Sequence, residues 1–543
     1  VNEAPPIGDH GAPRDGVRDE RGLTTKRVRP AASVDALFAF GLFVVALALR
    51  LAAAFTLAAE PVWDGQYYDF GAKRIAAGFG YSDDRMIDGH AVWHPWCHYP
   101  VGYSGYLAAF YKFFGATPVA AHVANGVCGA LLAVVTYLLA REALSPRRAR
   151  AAGVLVAVHP GLVLYGALAM TEPLSALLVL AAFWTSIRVR RSHWGLASKL
   201  PSWLLSLRGP AAGALVLGLS ALVRPQGLLC APILGLAYGV PGEVEAHARW
   251  QSLRRFVVGG VVASLVALVP VLPWTARNCR VMDGCAFVST NAGWNLAIGA
   301  FPRATGRFET LRSSDGCREV TGQVQQDRCW LAYGLSHIRS APLRWLGLVP
   351  AKLSYTFDHE SFAVEYLHEA RPAAWPEPRR TRARELLTSL HRLLVVFATF
   401  AFVGLVVPGR GKPREMRRAA IAQGVVFASL GIGAYLAFAE GTPTFWPLVL
   451  VSCVLPWLPI PGRPALPPAI AMGVVLLATT VLTHAVFFGE DRYHMVVTPV
   501  LCLLAAAAFR APAFSPKNTP EYTNGANTEL GGRAVESAQA QAE

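Results

Sequence analysis

The sequence predicts an all-α polytopic membrane protein. Apolar runs of about 20 residues, enough to span a hydrocarbon core, recur almost to the C-terminal end. Of the 543 residues only 16% are charged and 53% are hydrophobic, whereas soluble domains carry about 25% charged residues. The mean hydropathy is +0.36. Lys and Arg fall in short clusters between the apolar runs, where they orient a membrane protein by the positive-inside rule. The net charge of +15 is therefore a topology signal. No soluble segment combines a basic stripe with interleaved aromatics, as nucleic-acid binding requires.

Residues 1–33 are polar, Pro- and Gly-rich and basic (Arg14, Arg18, Arg21, Lys26, Arg27, Arg29), a composition that predicts a disordered cytoplasmic tail. The apolar run 34–59 exceeds the 7–15 residues of a cleavable signal and has a long basic flank. It reads as an uncleaved first span. Further spans are expected at about 119–141, 151–170, 172–188, 209–223, 225–240, 255–275, 386–407, 418–439, 443–460, 465–488 and 494–510, about twelve in all. The domain 34–510 then carries two long outer loops, about 60–118 and 277–385, and residues 511–543 form a second disordered cytoplasmic tail. Arg379, Arg380, Arg382 and Arg384 fit the charge rule least, and a crossing near 341–357 is the alternative topology.

Nine cysteines are present, four of them in the second outer loop: Cys279, Cys285, Cys317 and Cys329. An oxidising compartment permits disulfides there. Cys279–Cys285 with Cys317–Cys329 is the simplest of three connectivities. No CxxC or neighbouring His pair favours zinc.

The first outer loop carries the most chemistry. Asp64 follows the first span by a few residues, at head-group depth. It reads either as the N-cap of an interfacial helix or as a catalytic carboxylate. Tyr67, Phe70 and Ile75, with Tyr68 beside them, predict one apolar face for that helix, with Lys73 and Arg74 on another. The dense aromatics, Tyr67 among them, read as an interfacial belt or, for one or two rings, as a sugar platform. Glu172 opens a span, followed by Pro173 in the first turn. An ionisable group at the mouth of a bundle is a site candidate. Arg224, Arg277, Lys352 and Arg492 each border a span at its outer end. They read singly as interfacial anchors and together as an anion site. His94 and His98 are candidates for metal or phosphate, although Pro95 opposes a helical metal pair.

Several segments, in order, resemble the GT-C-fold membrane glycosyltransferases, in particular the protein O-mannosyltransferase and lipid A aminoarabinose transferase group of the glycosyltransferase family 39 type. They are WDGQYYDFGAKRIAAGFGY, HYPVGYSGYLAAFYKFFG, LYGALAMTEPL, GLSALVRPQGLL, LPWTARN, STNAGWNLAIG and FFGEDRYHMVVTPVLCLLAA, spread over about 35–510. The resemblance implies a GT-C-type bundle with interfacial helices in its outer loops. It implies a polyprenyl-phosphate sugar donor, an acceptor glycan, lipid or protein, and inverting transfer at the outer face of a bacterial cytoplasmic membrane. It assigns Asp64 and Glu172 to the catalytic positions and Arg277 to the donor phosphate. His98 falls where some members carry Lys. Gly65 replaces the Glu that follows the first acidic residue in many protein mannosyltransferases. No metal and no nucleotide-sugar cofactor are expected. A lipid or lipid-linked-sugar flippase is the rival class, but no internal repeat supports it. Neither a Gly-rich phosphate cradle nor a GxSxG elbow is present to suggest a phosphotransferase or acyltransferase.

Overall fold

The computed structural model describes residues 31–57, 60–191, 201–238, 248–401, 444–457 and 466–508, with scattered helical positions between 414 and 435. Nearly all of the two expected tails and most of the expected span 418–439 lie outside the described residues. The described chain is overwhelmingly helical, and its strands form one two-stranded sheet.

Five described helices are long and apolar enough to cross a bilayer: Val34–Leu57, Pro118–Arg141, Glu172–Arg190, Trp203–Ala221 and Pro468–Val486. Two bent pairs, Pro146–Val158 with Pro160–Ala167 and Ser252–Leu268 with Leu272–Val281, raise the count to seven if each is one span. The expected count of about twelve is not reached among the described residues. Three of the expected spans are instead shorter apolar helices, Pro225–Ala237, Trp446–Trp457 and Thr498–Ala508. The stretch 341–357 is two short helices, Pro342–Gly347 and Val349–Phe357, neither long enough alone to cross a bilayer. Glu377–Phe400 opens with the four awkward arginines. Two of them are neutralised locally: Arg380 and Arg384 lie 2.6 and 3.1 Å from the Glu365 carboxylate.

The 51° bend between Pro146–Val158 and Pro160–Ala167 has an identifiable cause. Pro160 has no amide hydrogen and disfavours helical geometry at His159, so the backbone carbonyls of the preceding turn lose their helical donors. Arg50 replaces those donors from the middle of the first span. Its Nη1 donates to Ala157 O and its Nη2 to Val156 O, each at 3.0 Å. The side chain is fully buried. Elsewhere small residues let helices approach closely, as in membrane bundles generally. A Cβ on Gly213 would lie 2.6 Å from the carbonyl oxygen of Ala182 on the neighbouring helix.

The segment 60–118 holds a helix, Asp64–Ala76, and an antiparallel hairpin, Ser82–Ile87 with His90–Pro95. The hairpin turn is Asp88–Gly89, with φ of 51° and 79°. Two consecutive positive φ values in a two-residue loop match a type I′ turn, for which Asp-Gly is a favoured pair. The helix buries Tyr68, Asp69 and Ala72 and leaves Tyr67 and Phe70 exposed. The expected apolar face is thus split: Tyr68 and Ile75 pack against the protein, whereas Tyr67 and Phe70 are exposed. In the second outer loop Cys279 is bonded to Cys285 and Cys317 to Cys329.

Candidate active site

The first span ends at Leu57, and the chain re-enters a helix at Asp64. Trp63, just before it, holds the left-handed backbone (φ 50°) that non-glycine residues rarely adopt. Its indole packs against Phe362 and Tyr366. Asp64 is the first helical residue rather than the N-cap. Its Oδ1 accepts the Tyr99 hydroxyl at 2.7 Å, and its Oδ2 faces Arg492 Nη1 at 2.5 Å. Gly65 has no space for a side chain: a Cβ there would run into the Tyr366 hydroxyl and lie 3.0 Å from Ala169 O.

A second charge pair stands nearby. Glu172 is fully buried at the start of its span. Its Oε1 accepts from Arg224 Nη1 at 2.6 Å, and the same Nη1 donates to Thr171 Oγ1 at 3.1 Å. Glu172 Oε2 has no hydrogen-bond partner. The guanidinium carbons of Arg224 and Arg492 lie 5.2 and 5.0 Å from the centre of the Tyr493 ring, within cation–π range. Behind Arg492 lies Glu490, whose Oε2 is 2.5 Å from Arg492 Nε but out of line for a hydrogen bond.

These groups meet in a cleft of about 260 Å3. Its walls include Asp64, Glu172, Arg224, Arg492 and His98. Asp64, Arg224 and Arg492 each follow the end of an apolar helix, and Glu172 opens one, so the cleft lies at one end of the bundle. Tyr68, Tyr99, Trp294 and Tyr493 supply flat rings, and Asn291, Asn295 and Gln226 supply neutral polar groups. The mixture suits a ligand with both polar edges and apolar faces.

The remaining expected residues lie elsewhere. Tyr67 stays outside the cleft, stacked on Trp96 at 5.9 Å and tilted against Tyr99 at 5.5 Å. Arg277 is spent on backbone: it donates to Tyr81 O at 2.7 Å and Trp96 O at 3.0 Å, fixing the first outer loop to the helix Leu272–Val281. Lys352 is fully buried, and its Nζ donates to Val486 O at 3.1 Å, capping the helix Pro468–Val486. His94 pairs with Asp83 at 2.6 Å and does not meet His98.

Electrostatics divide the carboxylates. Burial opposes the Asp64 charge, but Arg492 and the Tyr99 hydroxyl outweigh it and hold the carboxyl below its ordinary range. Burial pushes the Glu490 carboxyl up to about 7 against the pull of Arg492. Burial also lowers His98, which is thus a neutral imidazole at pH 7. Both Asp64 oxygens already have protein donors. Among the described residues, three metal-ligating groups converge only at Glu360, His391 and His494, none of which lines the cleft.

Tyr99 is one of the dense aromatics that the sequence offers as sugar-platform candidates, whereas Glu490, Tyr493, Asn291, Trp294 and Asn295 are site residues that the sequence criteria do not single out. Glu490 and Tyr493 stood in the same GEDRYH segment as Arg492, and Asn291, Trp294 and Asn295 in STNAGWNLAIG. A cluster of charged and aromatic residues directly after an apolar span was the available signal.

Residues 98–274 match the family model described as dolichyl-phosphate-mannose-protein mannosyltransferase. That stretch contains His98, Glu172 and Arg224 but not Asp64 or Arg492. No curated protein matches the chain. Among solved structures, it is similar to the archaeal oligosaccharyltransferase AglB from Archaeoglobus fulgidus in complex with an inhibitory peptide and a dolichol-phosphate. The identity is 13%, the TM-score 0.37, and the match covers 87% of this chain and 50% of that one. It is also similar to ArnT from Cupriavidus metallidurans bound to undecaprenyl phosphate, at 13% identity and a TM-score of 0.34, covering 88% and 78%. The chain spans about half the length of the oligosaccharyltransferase it matches.

Proposed function

We propose that this integral membrane protein is a glycosyltransferase that moves a sugar from a polyprenyl-phosphate donor to an acceptor hydroxyl at the outer face of the membrane. The observation that carries the proposal is the convergence of Asp64, Glu172, Arg224 and Arg492 in one cleft at the end of the apolar bundle. The family match over residues 98–274 supports the same reading, and the AglB and ArnT structures were solved with polyprenyl phosphates.

In the transfer, the acceptor oxygen attacks the anomeric carbon and the bond from that carbon to the phosphate oxygen breaks. Asp64 takes the acceptor proton, and polyprenyl phosphate leaves with the bonding electrons. General-base assistance of this kind is worth about 10²–10⁴ in rate. The donor phosphate competes with Asp64 for Arg492, which frees a carboxylate oxygen at the moment the acceptor needs it. Arg492 and Arg224 then stabilise the growing charge on the leaving phosphate. Attack opposite the leaving group inverts the anomeric configuration. The rings of Tyr99 and Trp294 offer faces to the sugar.

Sealed vesicles containing the protein and a radiolabelled polyprenyl-phosphate sugar test this directly. Label in a new, non-lipid-phosphate product supports transfer. Label that only crosses the bilayer, still attached to its original lipid, contradicts transfer and supports a flippase.

A further inference from the structure

Away from the cleft, three ligating side chains from distant parts of the chain converge in the interior. Glu360 lies between the helices Val349–Phe357 and Phe362–Ala370, His391 is on Glu377–Phe400, and His494 is on the turn Asp491–Val496. His391 and His494 are fully buried and Glu360 is 3% exposed. His494 Nε2 lies 3.5 Å and His391 Nδ1 4.0 Å from Glu360 Oε2. All three ligand atoms fall within 4.8 Å of one another.

The outer nitrogens of the two imidazoles are already committed. His391 Nε2 is 2.9 Å from Phe357 O, and His494 Nδ1 is 2.8 Å from Thr356 O. A carbonyl oxygen only accepts, so each of these nitrogens carries the hydrogen. In the neutral rings, His391 Nδ1 and His494 Nε2 then present lone pairs toward the carboxylate. None of the inward atoms, including both Glu360 oxygens, has a hydrogen-bond partner. Three converging lone pairs, buried together, repel one another and forgo solvation. A cation at their centre reverses both terms. Backbone carbonyls that fix the tautomer and aim the inward nitrogen are the usual outer support of metal-bound histidine.

Distance and ligand type narrow the ion. Zinc binds imidazole nitrogen and carboxylate oxygen at about 2.0–2.2 Å in a tetrahedron, whose edges are then about 3.4 Å. Of the separations from Glu360 Oε2, 3.5 Å is at that edge and 4.0 Å beyond it, and the two imidazoles, stacked at 3.9 Å and 24°, tilt apart to bring both lone pairs onto one ion. Two nitrogens and one oxygen without sulfur suit zinc better than copper(I) or calcium.

From this geometry we infer that Glu360, His391 and His494 bind a structural zinc ion, with water completing the coordination. The ion ties the Glu360 loop and the helix Glu377–Phe400 to the turn that carries Arg492. It takes no part in sugar transfer, and the inference does not depend on that function.

The test is metal analysis of the full chain, purified in detergent through a tag without histidine. About one zinc per chain is expected. His391→Ala and His494→Ala are expected to reduce zinc to background, whereas His90→Ala, in the exposed hairpin turn, retains it. X-ray absorption of the wild-type protein covers the case in which the variants fail to fold. It is expected to show nitrogen and oxygen ligands with imidazole scattering. Wild-type protein that stays zinc-free after incubation with zinc ions and desalting overturns the inference. So does a sulfur ligand, or zinc content unchanged in both folded variants.

Discussion

Asp64 and Arg492 are 428 positions apart in the chain and meet at 2.5 Å. Their neighbours explain why each residue type is required. Gly65 is set by packing, because any side chain there meets Tyr366. Gly65→Ala is expected to displace Asp64 and lower transfer at least tenfold, about 1.4 kcal/mol of barrier; an unchanged initial rate would remove that steric argument. Glu490 gives a signed pH dependence. With a carboxyl pushed up to about 7, it is neutral below that pH and leaves Arg492 freer to hold a phosphate. Above it, two carboxylates share Arg492. The KM for donor is therefore expected to rise as pH increases through about 7, and Glu490→Gln to flatten that rise; a KM profile identical in the variant would refute the assignment. The Glu172–Arg224 pair separates structure from chemistry. Glu172→Gln keeps an acceptor but removes the charge facing Arg224, whose side chain is 12% exposed, at a cost of about 1–3 kcal/mol. Adding Arg224→Met is expected to recover much of that stability, read as the thermal midpoint in detergent, without recovering transfer.

Among the elements, the bent pair around His159-Pro160 was legible in the sequence only as one continuous apolar run, 151–170. Hydropathy records where a segment sits but not whether its backbone is continuous. Pro160 was the visible marker of a break, and its complement, Arg50, lay a hundred residues upstream inside another span. Arg50→Leu removes the donors of two buried carbonyls, each worth about 1–3 kcal/mol when left unpaired. Thermal unfolding of that variant in detergent is expected well below wild type, and an unchanged midpoint would mean the freed carbonyls find other donors. The hairpin is absent from the sequence reading, in which the dense aromatics read as an interfacial belt, although Asp88–Gly89 is a favoured type I′ pair. The interfacial helix itself follows from its spacing. Which face it buries does not: Tyr68 and Ala72 meet the protein because Tyr103 and Ser104 come to them from another helix.

Across the whole molecule, the apolar bundle and the two long polar segments could be read from composition and charge placement, which reflect a solvent acting on every residue. The site was partly legible for the same reason. Asp64, Glu172, Arg224 and Arg492 border spans, and a bundle necessarily gathers span ends at two surfaces. Which border residues face one another is decided by tertiary packing. Arg277 and Lys352 satisfied the same sequence criterion yet donate to backbone carbonyls instead of lining the cleft. The central claim is that Asp64, held by Tyr99 and Arg492, deprotonates an acceptor as a lipid-phosphate sugar is transferred. The most direct measurement is the initial transfer rate of Asp64→Asn against wild type in matched vesicles with labelled polyprenyl-phosphate sugar. A fall of about 10²–10⁴ is expected with expression intact; transfer at the wild-type rate would remove Asp64 from the mechanism.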